Sequence, residues 1–439
     1  MTTRIAARLA LSLVTFLVCA ELMALGWTYV ATGHLFYADS DDGAQEQPAA
    51  PDDRLATDFA VHPYFGFAHI PNAGFHDERT ELLVRDGWPR AEAAARTNNF
   101  GFISPHAYPV TRTSPDQFFV GVFGGSVGMW FCQIGVPRLI EALEQHAFFR
   151  SKEIVPLCFA QSGYKQPQQA LLLTYFLSID QPLDLAINID GFNEVALAAL
   201  NHDRRADISM PSIQHLGGLI NMINQSTLTP EKLASLAAAT RDRASLARLD
   251  AAMRDNPSAA IHVLLNAYSN RIRARYEQEL VRYDSLPSNP EERTLVQVTP
   301  PVAERDRAAL VSDMAAAWAR ASILMRDVLA ARGGVYLHVL QPNQYYTSRR
   351  FTPEEAATAL SEASPYKRSV EEAYPALQAA ARAMLVENRV PFFDATRLLD
   401  NEPSRVYIDD CCHYTLIGNH LLAQFIATSV LSTPGPWGN

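Results

Sequence analysis

The chain has 439 residues, of which 48% are hydrophobic, and a formal net charge of −10. That is apolar material enough for a large core, or for one domain with a substantial insertion. The acidic balance argues against nucleic acid as a partner, because phosphate binding needs a basic surface, and is compatible with a neutral substrate such as a sugar.

Arg4 and Arg8 stand before LALSLVTFLVCAELMALGWTYV, Leu9–Val30. As a helix this run would span about 33 Å, enough for a bilayer core. It is longer than the apolar region of a cleaved signal peptide and has no clean small-residue cleavage site. Residues 1–33 therefore read as an uncleaved membrane anchor. The arginine bias places the rest of the chain on the periplasmic or extracellular side of the cell membrane, with Trp27 and Tyr29 at the far interface. Only Glu21 interrupts the run, and a buried carboxylate there is tolerable if protonated or turned to a partner helix. Residues 34–60 are acidic and rich in Pro and Ala, a linker composition. Residues 61–439 read as the folded domain.

Strand-like runs occur at 118–123, 154–159, 183–189, 335–340 and 391–394, with helical patterns between them. Such alternation predicts a parallel sheet with helices on both faces. The rhythm breaks between about 201 and 332, which reads as a helical insertion. Thr229-Pro230-Glu231 starts one of its helices, and another ends at Gly333-Gly334. The cysteines, at 19, 132, 158, 411 and 412, fit no zinc spacing and no disulfide framework. Cys411 and Cys412 are expected as free thiols, since a bridge between neighbours would strain their turn.

Four stretches carry candidate chemistry. In VFGGSVGMWF the strand breaks at Gly124-Gly125, leaving Ser126 at a strand end, where open α/β sheets hold their ligands. In FAQSGYK, Gly163 follows a strand and lets a backbone N–H approach a ligand. In INIDGFNEV, Asn193 follows the strand ending at Asp190 and can offer its amide to an oxyanion. In VYIDDCCHYT, Asp410 and His413 stand two residues apart before a helix, so the carboxylate can orient the imidazole. Asp409 is the alternative orienter, with less suited spacing. Residue type alone does not choose between Gly163 and Gly128 as a second backbone donor.

Together these stretches resemble the SGNH (GDSL-like) hydrolase family, of bacterial membrane-anchored type. Gly124-Gly125-Ser126 is similar to its first block, with Gly125 for the usual aspartate. Gly163 resembles the second-block glycine. Gly191-Phe192-Asn193-Glu194 resembles the third, with Glu194 for aspartate, and Asp410–His413 the fifth. The resemblance covers roughly 98–201 and 333–431. It implies a three-layer flavodoxin-like α/β/α sandwich, with Ser126 as nucleophile, His413 as base and Asp410 as orienter. The oxyanion donors would be Ser126, Gly163 and Asn193, with no metal and no cofactor. The activity implied is that of an envelope esterase acting on acyl, chiefly O-acetyl, groups of a carbohydrate. An acyltransferase with the same residues, or a non-catalytic scaffold on the same fold, are the alternatives. Oligomeric state is not legible.

Overall fold

The computed structural model describes residues 2–32, 36, 59–75, 80, 84, 95–223, 229–254, 256–287 and 304–438. The linker expected at 34–60 lies almost wholly outside them. In chain order, helix α1 (Thr2–Thr32) precedes two antiparallel ribbons, β1 (Phe59–His62) with β2 (Gly66–His69) and β3 (Gly74–Phe75) with β4 (Ala95–Arg96). Then come β5 (Gln117–Gly124), α2 (Ser126–Leu143), α3 (Ala147–Arg150), β6 (Glu153–Cys158), α4 (Gln168–Ser178), β7 (Leu185–Asp190) and α5 (Phe192–Asp203). Helices alone follow among the described residues: α6 (Ile213–Ile223), α7 (Pro230–Arg254), α8 (Ala259–Ser285) and α9 (Arg307–Ala330). The chain ends with β8 (Val335–Leu340), α10 (Pro353–Ala359), α11 (Lys367–Ala380), β9 (Phe392–Asp394) and α12 (Leu416–Ser432).

These elements form two compact units. One comprises 58–220 and 297–439, the other 1–57 and 221–296. The first holds a five-stranded sheet in the order β6-β5-β7-β8-β9, parallel throughout. Counted along the chain this is 2-1-3-4-5, a doubly wound order whose switch point lies between β5 and β7. All six residues of β7, LAINID, are buried, as expected of a central parallel strand covered on both faces. Alternation along β5 shows the two coverings. Phe118 meets Phe148, Phe149 and Trp437, whereas Phe123 stacks on Phe159, which meets Phe176 of α4. Helix α9 is apolar and long enough to cross a membrane by composition, but Leu310, Met314, Trp318, Met325 and Leu329 are buried and it packs on β8. It is the crossover helix between β7 and β8. A disulfide joins Cys132 of α2 to Cys158 of β6.

Of 201–332, residues 221–296 belong to the second unit and the rest to the first. Helices α7 and α8 form a hairpin around Ala239, Leu246, Ile272, Tyr276 and Leu280, tied by the Arg275–Asp242 ion pair. Helix α1 packs on the start of α8, with Ala24, Leu25 and Phe36 against Ala259, Ala260 and Val263. Glu21 faces the start of α8. Its carboxylate accepts from Ser258 Oγ and Ala259 N, both at 2.6 Å, and from Ala260 N at 3.2 Å. The first turn of a helix has N–H groups without intrahelical acceptors, and an anion satisfies them. Glu21→Ala should raise hydrogen exchange in the first turn of α8 about tenfold, the loss of roughly one capping interaction. Unchanged protection of residues 259–262 would mean that the contact contributes nothing.

Candidate active site

The two glycines of the first motif have separate causes. Gly124 sits at φ +145°, and a Cβ there would lie 2.2 Å from the Ile189 carbonyl of β7. Gly125 is crowded instead by the Asn193 amide, whose Nδ2 would lie 2.1 Å from its Cβ. The chain thus leaves β5 in a turn no larger residue fits, and Ser126 opens α2 at the C-terminal end of the sheet. Asn193 enters from the end of β7, so the two residues flank the switch point.

His413 reaches Ser126 from the loop before α12. Its Nε2 lies 2.7 Å from Ser126 Oγ. Its Nδ1 is hydrogen-bonded to Asp409 Oδ2, not to Asp410. The expected orienter is therefore displaced by one residue. The reason is the wrap of the turn. Asp409 Oδ1 accepts the N–H groups of Cys411 and Cys412 at 3.0 Å and of His413 at 3.2 Å, so the backbone curls around this one carboxylate. Its second oxygen is then left facing the imidazole. Asp410 contributes its backbone carbonyl, which accepts from Tyr345 Oη at 2.9 Å and Ser364 Oγ at 3.3 Å. Burial pushes the Asp409 carboxyl up, but the hydrogen bond from the ring, the His413 charge and the backbone N–H groups outweigh it and hold it below the ordinary carboxylate value. With Asp409 accepting, Nδ1 donates, and the Nε2 lone pair faces the Ser126 hydroxyl.

The loop is braced from a distance. After β8, Asn343 Nδ2 donates to the Cys411 carbonyl, Gln344 Nε2 to that of Asp409, both at 3.1 Å, and Tyr345 to that of Asp410. The polar run LQPNQYY is the only sequence signal for this brace, and nothing in it says what the side chains bind. Cys411 and Cys412 are free thiols with Sγ atoms 3.4 Å apart, and Cys412 Sγ lies 3.9 Å from Ser126 Oγ. Burial pushes the Cys412 thiol well up, so it stays protonated.

Asn193 Nδ2 donates to the Tyr164 carbonyl at 2.7 Å, which brings the loop of Gly163 to the same corner. Gly163 has φ +77°, and a Cβ would collide with the His215 ring at 2.4 Å. Glu194 ties the same loops. It accepts from Gly191 N at 2.8 Å and Gln166 N at 2.9 Å. Gly128 instead packs on Ala160 within α2. A second Ser–His–Asp chain lies under the sheet end. His338 bonds Asp190 and Ser322, each at 2.7 Å, and Trp318 Nε1 also bonds Asp190. His338 and Ser322 have no exposed surface. No substrate reaches them, and they brace the end of β7 from which Asn193 projects.

No protein-family model matches this chain, and no curated protein does. Among solved structures it is similar to a lipase from a goat rumen metagenome, 10% identical with a TM-score of 0.30, over 73% of this chain and 99% of the lipase. It is also similar to an aryl esterase of M. smegmatis, 13% identical with a TM-score of 0.30, over 72% of this chain and 99% of the esterase. Likeness at this level carries no argument about the reaction, which rests on the geometry of the site.

Proposed function

We propose that this chain is a serine esterase of the SGNH type that removes acyl groups, O-acetyl foremost, from a carbohydrate outside the cytoplasm, anchored through α1. The observation that carries the reading is the hydrogen-bonded chain Ser126–His413–Asp409 at the C-terminal end of a doubly wound parallel sheet. Ser126 Oγ attacks the ester carbonyl while His413 Nε2 takes its proton. The tetrahedral oxyanion is held by the N–H groups of Ser126 and Gly163 and by the Asn193 amide, whose second N–H is not needed by Tyr164. Its collapse expels the sugar hydroxyl, which takes the proton back from His413. Water then repeats the sequence on the acyl-enzyme and releases the acid. The Cys132–Cys158 disulfide supports an oxidising compartment, as an anchor with its domain outside requires.

The test is labelling of the full chain by a fluorophosphonate, together with release of acetate from p-nitrophenyl acetate and from an acetylated xylan. A chain that neither labels nor hydrolyses either ester is not a serine esterase. Faster transfer of acetyl to a sugar than to water would make it an acyltransferase. Gly125→Ala drives a methyl into the Asn193 amide. We expect it to lower hydrolysis about 10²- to 10³-fold, the cost of one oxyanion donor. Full activity in that variant would remove Asn193 from the oxyanion site.

A further inference from the structure

We infer that Trp130 is a positioning residue for the His413 imidazole, holding the ring by its face and favouring its protonated form. The inference rests on the serine-esterase reading. The indole and imidazole rings are stacked, with centroids 4.5 Å apart and planes 11° from parallel. The hydrogen bonds from Ser126 and to Asp409 act in the plane of the imidazole and do little to oppose rotation about the axis joining them. A ring lying flat on one face removes that freedom.

The sequence builds this plate into the nucleophile's own helix. Ser126 and Trp130 stand at i and i+4 on α2 and so share a face. Trp130 is 4% exposed and packs among Met129, Ile134, Cys158, Ala160 and Leu416. The disulfide from Cys132 pins the same helix to β6. Nucleophile and plate therefore move as one piece, and the plate itself is held rigid.

The electrostatic consequence follows from the ring quadrupole. An indole face is negative and attracts a cation within about 6 Å of its centroid, and it attracts a neutral ring much less. Taking the Ser126 proton makes His413 an imidazolium. A contact stronger in the charged form stabilises the transition state more than the ground state. Among the described residues, the other titratable groups facing this loop include Asp409, Asp410, Cys411 and Cys412 on the loop itself, Tyr345 after β8, Tyr366 at the start of α11, and Tyr374, Tyr407 and Tyr414 around Cys412. Trp130→Leu alters the charge of none of them.

The test compares wild type, Trp130→Leu and Trp130→Phe as full-length chains in detergent. One readout is the pH profile of kcat/KM on p-nitrophenyl acetate, whose acidic limb reports the free imidazole. The other is the rate at which diethyl pyrocarbonate modifies His413, followed by peptide mapping, which needs no catalysis. In Trp130→Leu both midpoints should fall by about half to one pH unit, because the imidazolium has lost its partner. The plateau of kcat/KM should fall about tenfold or more. Trp130→Phe keeps an aromatic face and should lie between the other two, and it carries the test if the leucine variant does not fold. Unchanged midpoints in a folded Trp130→Leu chain, or in Trp130→Phe should leucine not fold, would overturn the inference. A modification midpoint that shifts between wild type and Trp130→Leu, when wild type shows no esterase activity, would uphold the ring contact and sink the esterase reading.

Discussion

Ser126→Ala should abolish fluorophosphonate labelling and lower ester hydrolysis by about 10⁴- to 10⁶-fold. The hydroxyl lies 2.7 Å from the Nε2 of His413. Cys412 is the nearest candidate at 3.9 Å, but its thiol is buried and held protonated. The substitution removes one oxygen from a turn whose shape is imposed by Gly124 and Gly125, so the far-ultraviolet circular dichroism should be unchanged. His413→Ala should cost as much, and the double variant no more than either alone, because the two residues act as one unit. Labelling that persists in Ser126→Ala would assign the nucleophile elsewhere.

The second large effect separates the two adjacent aspartates. Asp409→Asn should lower kcat by about 10³- to 10⁴-fold, and Asp410→Asn by less than about threefold. In Asp409→Asn the amide oxygen stays with the three backbone N–H groups that wrap around Oδ1. The NH₂ group then faces Nδ1, where a donor is already present. The ring must switch tautomer, and its proton moves to Nε2, where it blocks the base. Asp410 offers the loop a backbone carbonyl, which the substitution keeps. The reverse outcome, loss in Asp410→Asn with Asp409→Asn active, would restore the DxxH reading. Stability gives an independent check. The folded-state carboxyl of Asp409 is held below its unfolded value, so its contribution is present above the ordinary carboxylate pKa and is lost as pH falls through the folded one. The gap in thermal stability between wild type and Asp409→Asn should therefore narrow below about pH 4.

Much of the sheet unit is legible in the chain because its causes are local. Parallel strands covered on both faces are continuous apolar runs, and each expected run lies within a residue or two of β5, β6, β7, β8 and β9. The nucleophile turn is legible only beside the Asn193 and His413 stretches, because two glycines and a serine at a strand end also suit a plain turn into a capped helix. One helix was also marked by its own cap, that of α7, whereas the cap of α9 emerged only in the structure. Thr229-Pro230-Glu231 opens α7, and Asp306 caps α9 through the Ala309 N–H at 2.8 Å. Helix α8 carries comparable marks, since Ser258 caps it through the Ile261 N–H at 3.3 Å and Pro287 follows it, but a cap does not say which unit a helix joins.

What the sequence determined by itself, then, is the strand rhythm, the glycine turn at Ser126 and the presence of an asparagine and a histidine near strand ends. Tertiary structure alone decided the choice between Asp409 and Asp410, because two neighbouring carboxylates differ only in which N–H groups the folded turn presents to them. It also decided the brace from Asn343, Gln344 and Tyr345, which lie 65 to 68 residues from the carbonyls they hold. The pairing of Cys132 with Cys158, the docking of Glu21 on the start of α8 and the stacking of Trp130 on His413 belong to the same class. Each joins side chains brought together by packing, and no periodicity or spacing along a chain encodes a contact of that kind.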